Sequence, residues 1–361
     1  LRGRSAVRKN PETGDFIPMR VLDRYIVMAL CRHTALALAV FMVLAGLFLF
    51  VNEQGWVGAG SYGQASALRF VLAQLPATAL QFLPVAALLG ALLALGELAR
   101  GSELTVMRAA GVSVARLAGS VVLAGLLLVP PALLLTEWVA PPLAEAARVA
   151  KALQRNQQPA GGVVAWRREG DTLLRADAAG LMAFELQDAA LVAVTRVPRE
   201  EGGEAVRISF AEDGSVARQI VPVDRALHEA ARVPLSAALA DPRQQSLSQL
   251  RADIRGLNAR GDDATTQRLA LWTAIARLPA VPLAMLLALP LLLGYMRNAG
   301  TGARASTGLV LGLFYFLAQR TVENGTRAFN LDPALLAWTP TLMLALAVAV
   351  LLWQVHRASV A

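Results

Sequence analysis

Residues 34–51 read TALALAVFMVLAGLFLFV, a run without one charged side chain. A membrane-spanning helix needs about 20 mostly apolar residues, and this run with its flanks reaches that length. Working outward, five more stretches approach or exceed it: residues 68–98, 117–139, 269–296, 307–322 and 334–355. The second and fourth of the six carry prolines, Pro76 and Pro84 in one and Pro279, Pro282 and Pro290 in the other. Kinks are expected there, with neighbouring helices satisfying the freed backbone groups. Over the whole chain 56% of residues are hydrophobic and 17% charged, a balance that excludes an ordinary soluble protein and makes bilayer the main solvent.

The polar opening, residues 1–32, is too long and too charged to be a typical cleaved signal peptide, so the first apolar run is expected to stay as an anchor. Arg2, Arg4, Arg8, Lys9, Arg20, Arg24 and Arg32 precede that run, whereas residues 52–67 hold neither Lys nor Arg. Positive charge stays on the cytoplasmic side, which places the amino terminus inside. Arg100, Arg108 and Arg116, then Arg297 and Arg304, and finally His356 and Arg357 fall inside by the same rule. Both termini are thus expected in the cytoplasm.

Between the third and fourth runs the composition turns polar, with short alternating apolar segments at 163–166, 172–175, 181–186, 191–197 and 206–210. Gly161-Gly162, Gly170-Asp171, Gly202-Gly203 and Asp213-Gly214 punctuate them. Such segments read as strands, on the periplasmic side. Residues 247–260, with Leu250, Ile254 and Leu257 at helical spacing, predict a short amphipathic helix leading back to the membrane. The expected order is a cytoplasmic segment (1–33), transmembrane helices 1–3 (34–140), a β-domain (141–267), transmembrane helices 4–6 (268–355) and a cytoplasmic tail (356–361).

Several chemistries have no footing. The one cysteine, Cys31, forms no internal disulfide, and three histidines, His33, His228 and His356, make a zinc site improbable. No Gly-x-x-x-x-Gly-Lys-Ser/Thr segment occurs, so any ATP would be hydrolysed by another subunit. His228-Glu229-Ala230-Ala231-Arg232 lacks the second histidine of a zincin and reads as a solvated surface segment. The net charge of +8 suits an anionic membrane surface better than nucleic acid in so apolar a chain. Glu97, Glu137, Arg277, Arg320 and Glu323 lie near span ends, where interfacial placement competes with a functional role.

The connection from Arg100 to Gly111 reads RGSELTVMRAAG. Ser102 is suited to cap a short helix, Glu103 to its first turn, and Gly111 to its end, with Leu104, Met107 and Arg108 at helical spacing. It is either an interfacial linker or a coupling helix seated in a cytoplasmic motor subunit.

Leu22-Asp23-Arg24-Tyr25-Ile26, the Ser102 to Gly111 stretch and Glu137-Trp138-Val139-Ala140-Pro141 together resemble the LptF/LptG permease family, and favour its LptG branch. Residues 247–272, Leu289-Pro290 to Arg297, and Arg304 with Gly308 and Gly312 extend the likeness in order over nearly the whole chain. The resemblance implies six transmembrane helices (3+3) around an inserted periplasmic β-jelly-roll-like domain. It implies a permease subunit that extracts lipopolysaccharide from the inner membrane and passes it to a periplasmic bridge, and is no enzyme itself. The implied partners are an LptF-like permease, an LptB-like ATPase dimer holding ATP and Mg, an LptC-like single-span protein and, indirectly, LptA. Carried over by position, Glu103 is the coupling acid with Arg100, Leu104, Met107 and Arg108 around it. Arg148 and Lys151 face lipid phosphates, with Arg320 as a further cation and Phe41, Phe48, Phe82 and Phe314 lining the acyl cavity. Family members place lysines at the outer end of the first span, whereas Phe48 to Trp56 holds none. The competing classes are a force-transmitting scaffold and a membrane lipid-modifying enzyme.

Overall fold

The computed structural model describes residues 21–155, 165–169, 172–177, 180–187, 190–198, 205–210, 216–221, 241–260, 263–295, 300–329 and 332–360. The expectations for residues 1–20, His228, Arg297 and the glycine breaks of the polar region lie outside them.

Nine α-helices are described. They are α1 (Val21–Glu53), α2 (Gln64–Arg100), α3 (Glu103–Ala109), α4 (Val114–Leu134), α5 (Ala140–Arg155), α6 (Leu247–Arg260), α7 (Thr265–Pro290), α8 (Thr301–Phe329) and α9 (Pro333–Val360). Among the described residues, five helical segments are long and apolar enough to cross a membrane: α1, α2, α4 continued through α5, α7 and α9. The sixth expected span, α8, is a 29-residue helix but more polar.

Each helix extends past the apolar run that announced it. α1 begins at Val21, since Ile26, Val27 and Leu30 are buried in the core while Asp23 finds polar partners on α4. α2 runs through Pro76 and Pro84, and α7 through Pro279 and Pro282. These two helices form the centre. α1 and α8 pack on α2, α4 and α9 pack on α7, and α2 meets α7 directly. Leu92, Leu95, Val121, Val281, Met285 and Leu289 are fully buried where these helices converge.

Close approach requires missing side chains. A Cβ on Gly90 would stand 2.5 Å from the Thr34 backbone, and one on Gly125 would stand 2.4 Å from Pro282 Cα. These glycines let α1 and α7 touch backbones that leucines would hold apart.

Six strands, β1 (Ala165–Glu169), β2 (Thr172–Asp177), β3 (Gly180–Gln187), β4 (Ala190–Pro198), β5 (Ala205–Phe210) and β6 (Val216–Val221), form one antiparallel sheet in consecutive order. Five match the expected segments to within a few residues. β6 was not expected because Ala217-Arg218-Gln219 interrupts its apolar alternation. α6 spans the residues its leucine spacing predicts.

Candidate functional site

At one end of the helix bundle, α2 turns into α3 through Gly101-Ser102. Ser102 does not cap α3 as its residue type suggests: it sits in the left-handed region at φ 61° and its side chain makes no capping bond. The link is so tight that this residue must close α2, donating its N–H to Ala99 O. Gly111 does end the segment, at φ 87°. Its N–H goes to Arg108 O and that of Val112 to Met107 O, the paired bonds of a Schellman stop.

α3 is rooted by Leu104, which is buried, and by Met107, which packs against the same core. Its outer surface is Glu103, Val106 and Arg108, all exposed, with Arg100 exposed beside it. The five residues expected to couple to a motor are therefore brought together, two as an apolar foot and three as a charged face. Tyr25 of α1 lies close to the Glu103 carboxylate.

Further bonds fix this end. Asp23 accepts from Arg116 at 3.0 Å and Ser120 at 2.9 Å, tying α1 to α4. His33 Nε2 lies 2.9 Å from Glu97. Arg32 reaches Glu97 only at 3.9 Å with both side chains exposed, a geometry that contributes little in water. Arg304 of α8 is buried and donates from Nη1 to Gly96 O, 2.6 Å away, near the end of α2 where helix carbonyls carry partial negative charge. A Cβ at Gly96 would stand 2.8 Å from the Arg304 side chain, so Gly96 makes the seat for the guanidinium.

At the opposite ends, Glu53 closes α1 and meets α5. Lys151 Nζ stands 2.7 Å from its carboxylate, with both side chains largely buried, and the Tyr62 hydroxyl donates to it at 3.0 Å. The ammonium also lies over the Phe70 ring at 4.5 Å, and Arg155 stacks on Trp56 at 3.6 Å. Burial first, and then the bond to Glu53, push the Tyr62 hydroxyl well above its ordinary pKa. The loop seats on α5 through Ser61 N–H to Gln154 O, 2.9 Å, beside Gly60 at φ 59°. Lys151, expected beside lipid phosphate, is thus paired with Glu53. Arg148, half-buried one turn earlier, has Nε and Nη1 buried with no hydrogen-bond acceptor among the described residues.

The third span continues past Pro141-Pro142 as α5, by way of a π turn over Leu135–Val139. Pro141 and Pro142 have no N–H for the carbonyls four residues back. The helix widens there instead, with Ala140 N–H bonded to Leu135 O. In this turn Glu137 accepts the N–H groups of Leu247 at 2.9 Å and Ser248 at 3.2 Å, the first amides of α6. Ser246 and Gln249 complete the cap reciprocally, at 2.9 and 3.1 Å.

A second polar cluster joins α7, α8 and α2. Glu323 bridges Arg277 at 3.0 Å and Arg320 at 3.5 Å, and Arg320 donates to Gln81 at 2.7 Å. These charges are satisfied by one another. Of the expected aromatics, Phe41 and Phe82 stack at 5.5 Å, and Phe82 stacks on Phe316 at 4.9 Å. Phe48 and Phe314 are exposed elsewhere.

Glu53, Tyr62, Phe316 and the capping role of Glu137 were missed by sequence reasoning. Glu53 had a usable signal, being the one charged residue between the first two apolar runs, in residues 52–67; Tyr62 and Phe316 had none.

The family model described as lipopolysaccharide export system permease LptF/LptG matches residues 24–192 and 201–354. The chain is 28% identical over 366 residues to the lipopolysaccharide export system permease protein LptG of Escherichia coli strain K12, covering 95% of this chain and 99% of that one. With the protein of the same name from Haemophilus influenzae it shares 26% over 363 residues, covering 94% and 99%.

Proposed function

The chain belongs to the LptF/LptG family of lipopolysaccharide export permeases, and from that premise we propose that it is the permease subunit that lifts lipopolysaccharide out of the inner membrane. It is a transporter component rather than an enzyme. The observation that carries the reading is α3, a short helix stopped at its far end, with a buried apolar foot and an exposed acidic and basic face. That is the form a rigid lever needs to take force from a cytoplasmic ATPase. In this reading Glu103 meets the motor, with Arg100 and Arg108 beside it. An LptB-like dimer hydrolyses ATP with Mg, and an LptF-like half, an LptC-like single-span protein and LptA complete the route.

α8 is the sixth span in this proposal. Its Arg304 and Arg320 lie 16 residues apart, about 24 Å at ~1.5 Å per residue, and both are bonded within the bundle. Its charges therefore need not face lipid. Both termini are cytoplasmic and the strands belong to a periplasmic jelly-roll-like domain whose edge can pair with partner strands. Arg148, with donors to spare, is the first cation for a lipid phosphate. Lys151 follows if an anion displaces Glu53, and Arg320 is held in reserve.

Purifying the full chain with its co-expressed neighbours tests this directly. An ATPase, a second permease and lipopolysaccharide are expected to be retained. A complex that hydrolyses ATP without extracting lipid would overturn the reading in favour of a force-transmitting scaffold. Cysteines introduced between 159 and 262 are expected to react with an impermeant reagent from the periplasm, and cysteines at Ala109 or Ala299 are not.

A further inference from the structure

The wedge between α2, α7, α8 and α9 forms a cavity of about 210 Å³, open on one side and reaching from Pro84 and Ala284 to Leu344 and Ala347. Its shape follows from the sequence. α8 is drawn onto α2 at Gly308 and Gly312, where a Cβ on Gly312 would stand 2.4 Å from Val85, while Pro340 interrupts the facing side of α9. Closure on one side leaves a gap on the other.

We propose that this cavity holds one acyl chain of a resident membrane phospholipid. Among the described residues no charged side chain lines it, and Tyr315, its most polar wall, points its hydroxyl toward Gln319. An apolar cavity of ~150 Å³ already stays dry and binds benzene, and this one is larger. Its lining comes from the middle turns of α8 and α9, the depth of the hydrocarbon core. The mouth residues Phe314 and Met343 are 62% and 49% exposed, beside exposed Val310, Leu342 and Leu346, so the opening lies in an apolar surface. The absence of any cation matches an alkyl tail and not a phosphorylated headgroup. Two positions along α8 from Phe314, about 200° round the helix, Phe316 stacks on Phe82. The wedge therefore lies away from the Phe41–Phe82–Phe316 stack, and Phe314, expected to line the cargo cavity, stands at its mouth instead. The site requires that these helices cross the membrane and is independent of what the protein exports.

The test uses the full chain with its co-purifying subunits in nanodiscs of phosphatidylethanolamine bearing a diazirine at the end of one acyl chain. After irradiation, adducts are mapped by peptide mass spectrometry. Leu344 is 8% exposed and Leu346 is 66% exposed, so label on Leu344 and Met343 exceeding that on Leu346 requires a chain inside the wedge. Ala347→Phe is expected to abolish label at Leu344 and leave Leu346 unchanged. Label confined to Leu346 in the unmodified protein overturns the proposal whether or not the filled variant folds. A second arm carries the diazirine on the acyl chains of lipopolysaccharide. Labelling of Leu344 from that arm alone would assign the wedge to cargo, and the proposal would fail.

Discussion

Glu137 holds the start of α6 from a different helix, and Glu137→Ala removes the acceptors of two amides at once. A hydrogen bond to a charged partner contributes about 1.5–3 kcal/mol when protected, and loss of a helix cap costs about 0.5–2 kcal/mol. The bond to Leu247 is partly buried at 2.9 Å, whereas that to Ser248 is exposed at 3.2 Å and worth less. The Ser246–Gln249 box remains in the variant. A net loss of about 2–3 kcal/mol follows, and at 1.4 kcal/mol per tenfold this is roughly 30- to 150-fold in local opening. Amide hydrogen exchange at Leu247 and Ser248 is expected to accelerate by that factor in the purified protein. Glu137→Gln, which keeps one neutral acceptor, is expected to give about a tenth of that effect. Trp138→Ala, at a side chain 72% exposed, is expected to give none. Unchanged exchange in Glu137→Ala would refute the capping role, and equal effects of alanine and glutamine would refute the contribution of charge.

Lys151→Met leaves the Glu53 carboxylate buried with Tyr62 as its remaining partner, a loss of about 3–5 kcal/mol. Thermal unfolding in detergent is expected to show it, with most of the loss recovered in the double variant Glu53→Gln/Lys151→Met. Folding raises the pKa of Tyr62, so its contribution is complete below the ordinary tyrosine value of about 10 and is lost only as pH rises through the raised one. Tyr62→Phe is expected to remove that part of the alkaline sensitivity, seen as a flatter melting temperature above pH ~10. Glu103→Arg places a third cation beside Arg100 and Arg108, and is expected to lower ATPase retention on co-purification or uncouple hydrolysis from lipid release; wild-type assembly and transport would reduce α3 to a linker. Gly96→Ala pushes the Arg304 side chain off its carbonyl and is expected to destabilise the bundle by about 1–3 kcal/mol, read as a lower melting temperature than that of Gly119→Ala, a position with open space.

Two of these sites alter how the sequence motifs are understood. The Glu137-Trp138-Val139-Ala140-Pro141 stretch is a π turn imposed by Pro141 and Pro142, and the turn aims Glu137 at the incoming chain more than 100 residues later. The Arg304, Gly308 and Gly312 spacing is one face of α8. Its glycines admit Leu92 and Val85, and its arginine grips the end of α2, the helix that continues into α3. A shift of α8 is thereby connected to α3 through a buried hydrogen bond.

The apolar runs alone determined that most helices would be membrane-long, because a bilayer imposes length and hydrophobicity on each segment separately. The same local logic located five of six strands, the whole of α6 and the glycine stop of α3. The helix starts escaped it, since Asp23 and Arg24 look like loop residues until Arg116 and Ser120 arrive from α4 to satisfy Asp23. Ser102 misled for a related reason, as a capping side chain was inferred where tight chain reversal demanded a left-handed residue. The Glu53–Lys151–Tyr62 clasp, the Arg304 seat and the wedge behind Phe314 were beyond any local reading. Each joins residues separated by many positions, and only the packing of α2 against its neighbours decides which polar atoms meet and where a gap is left.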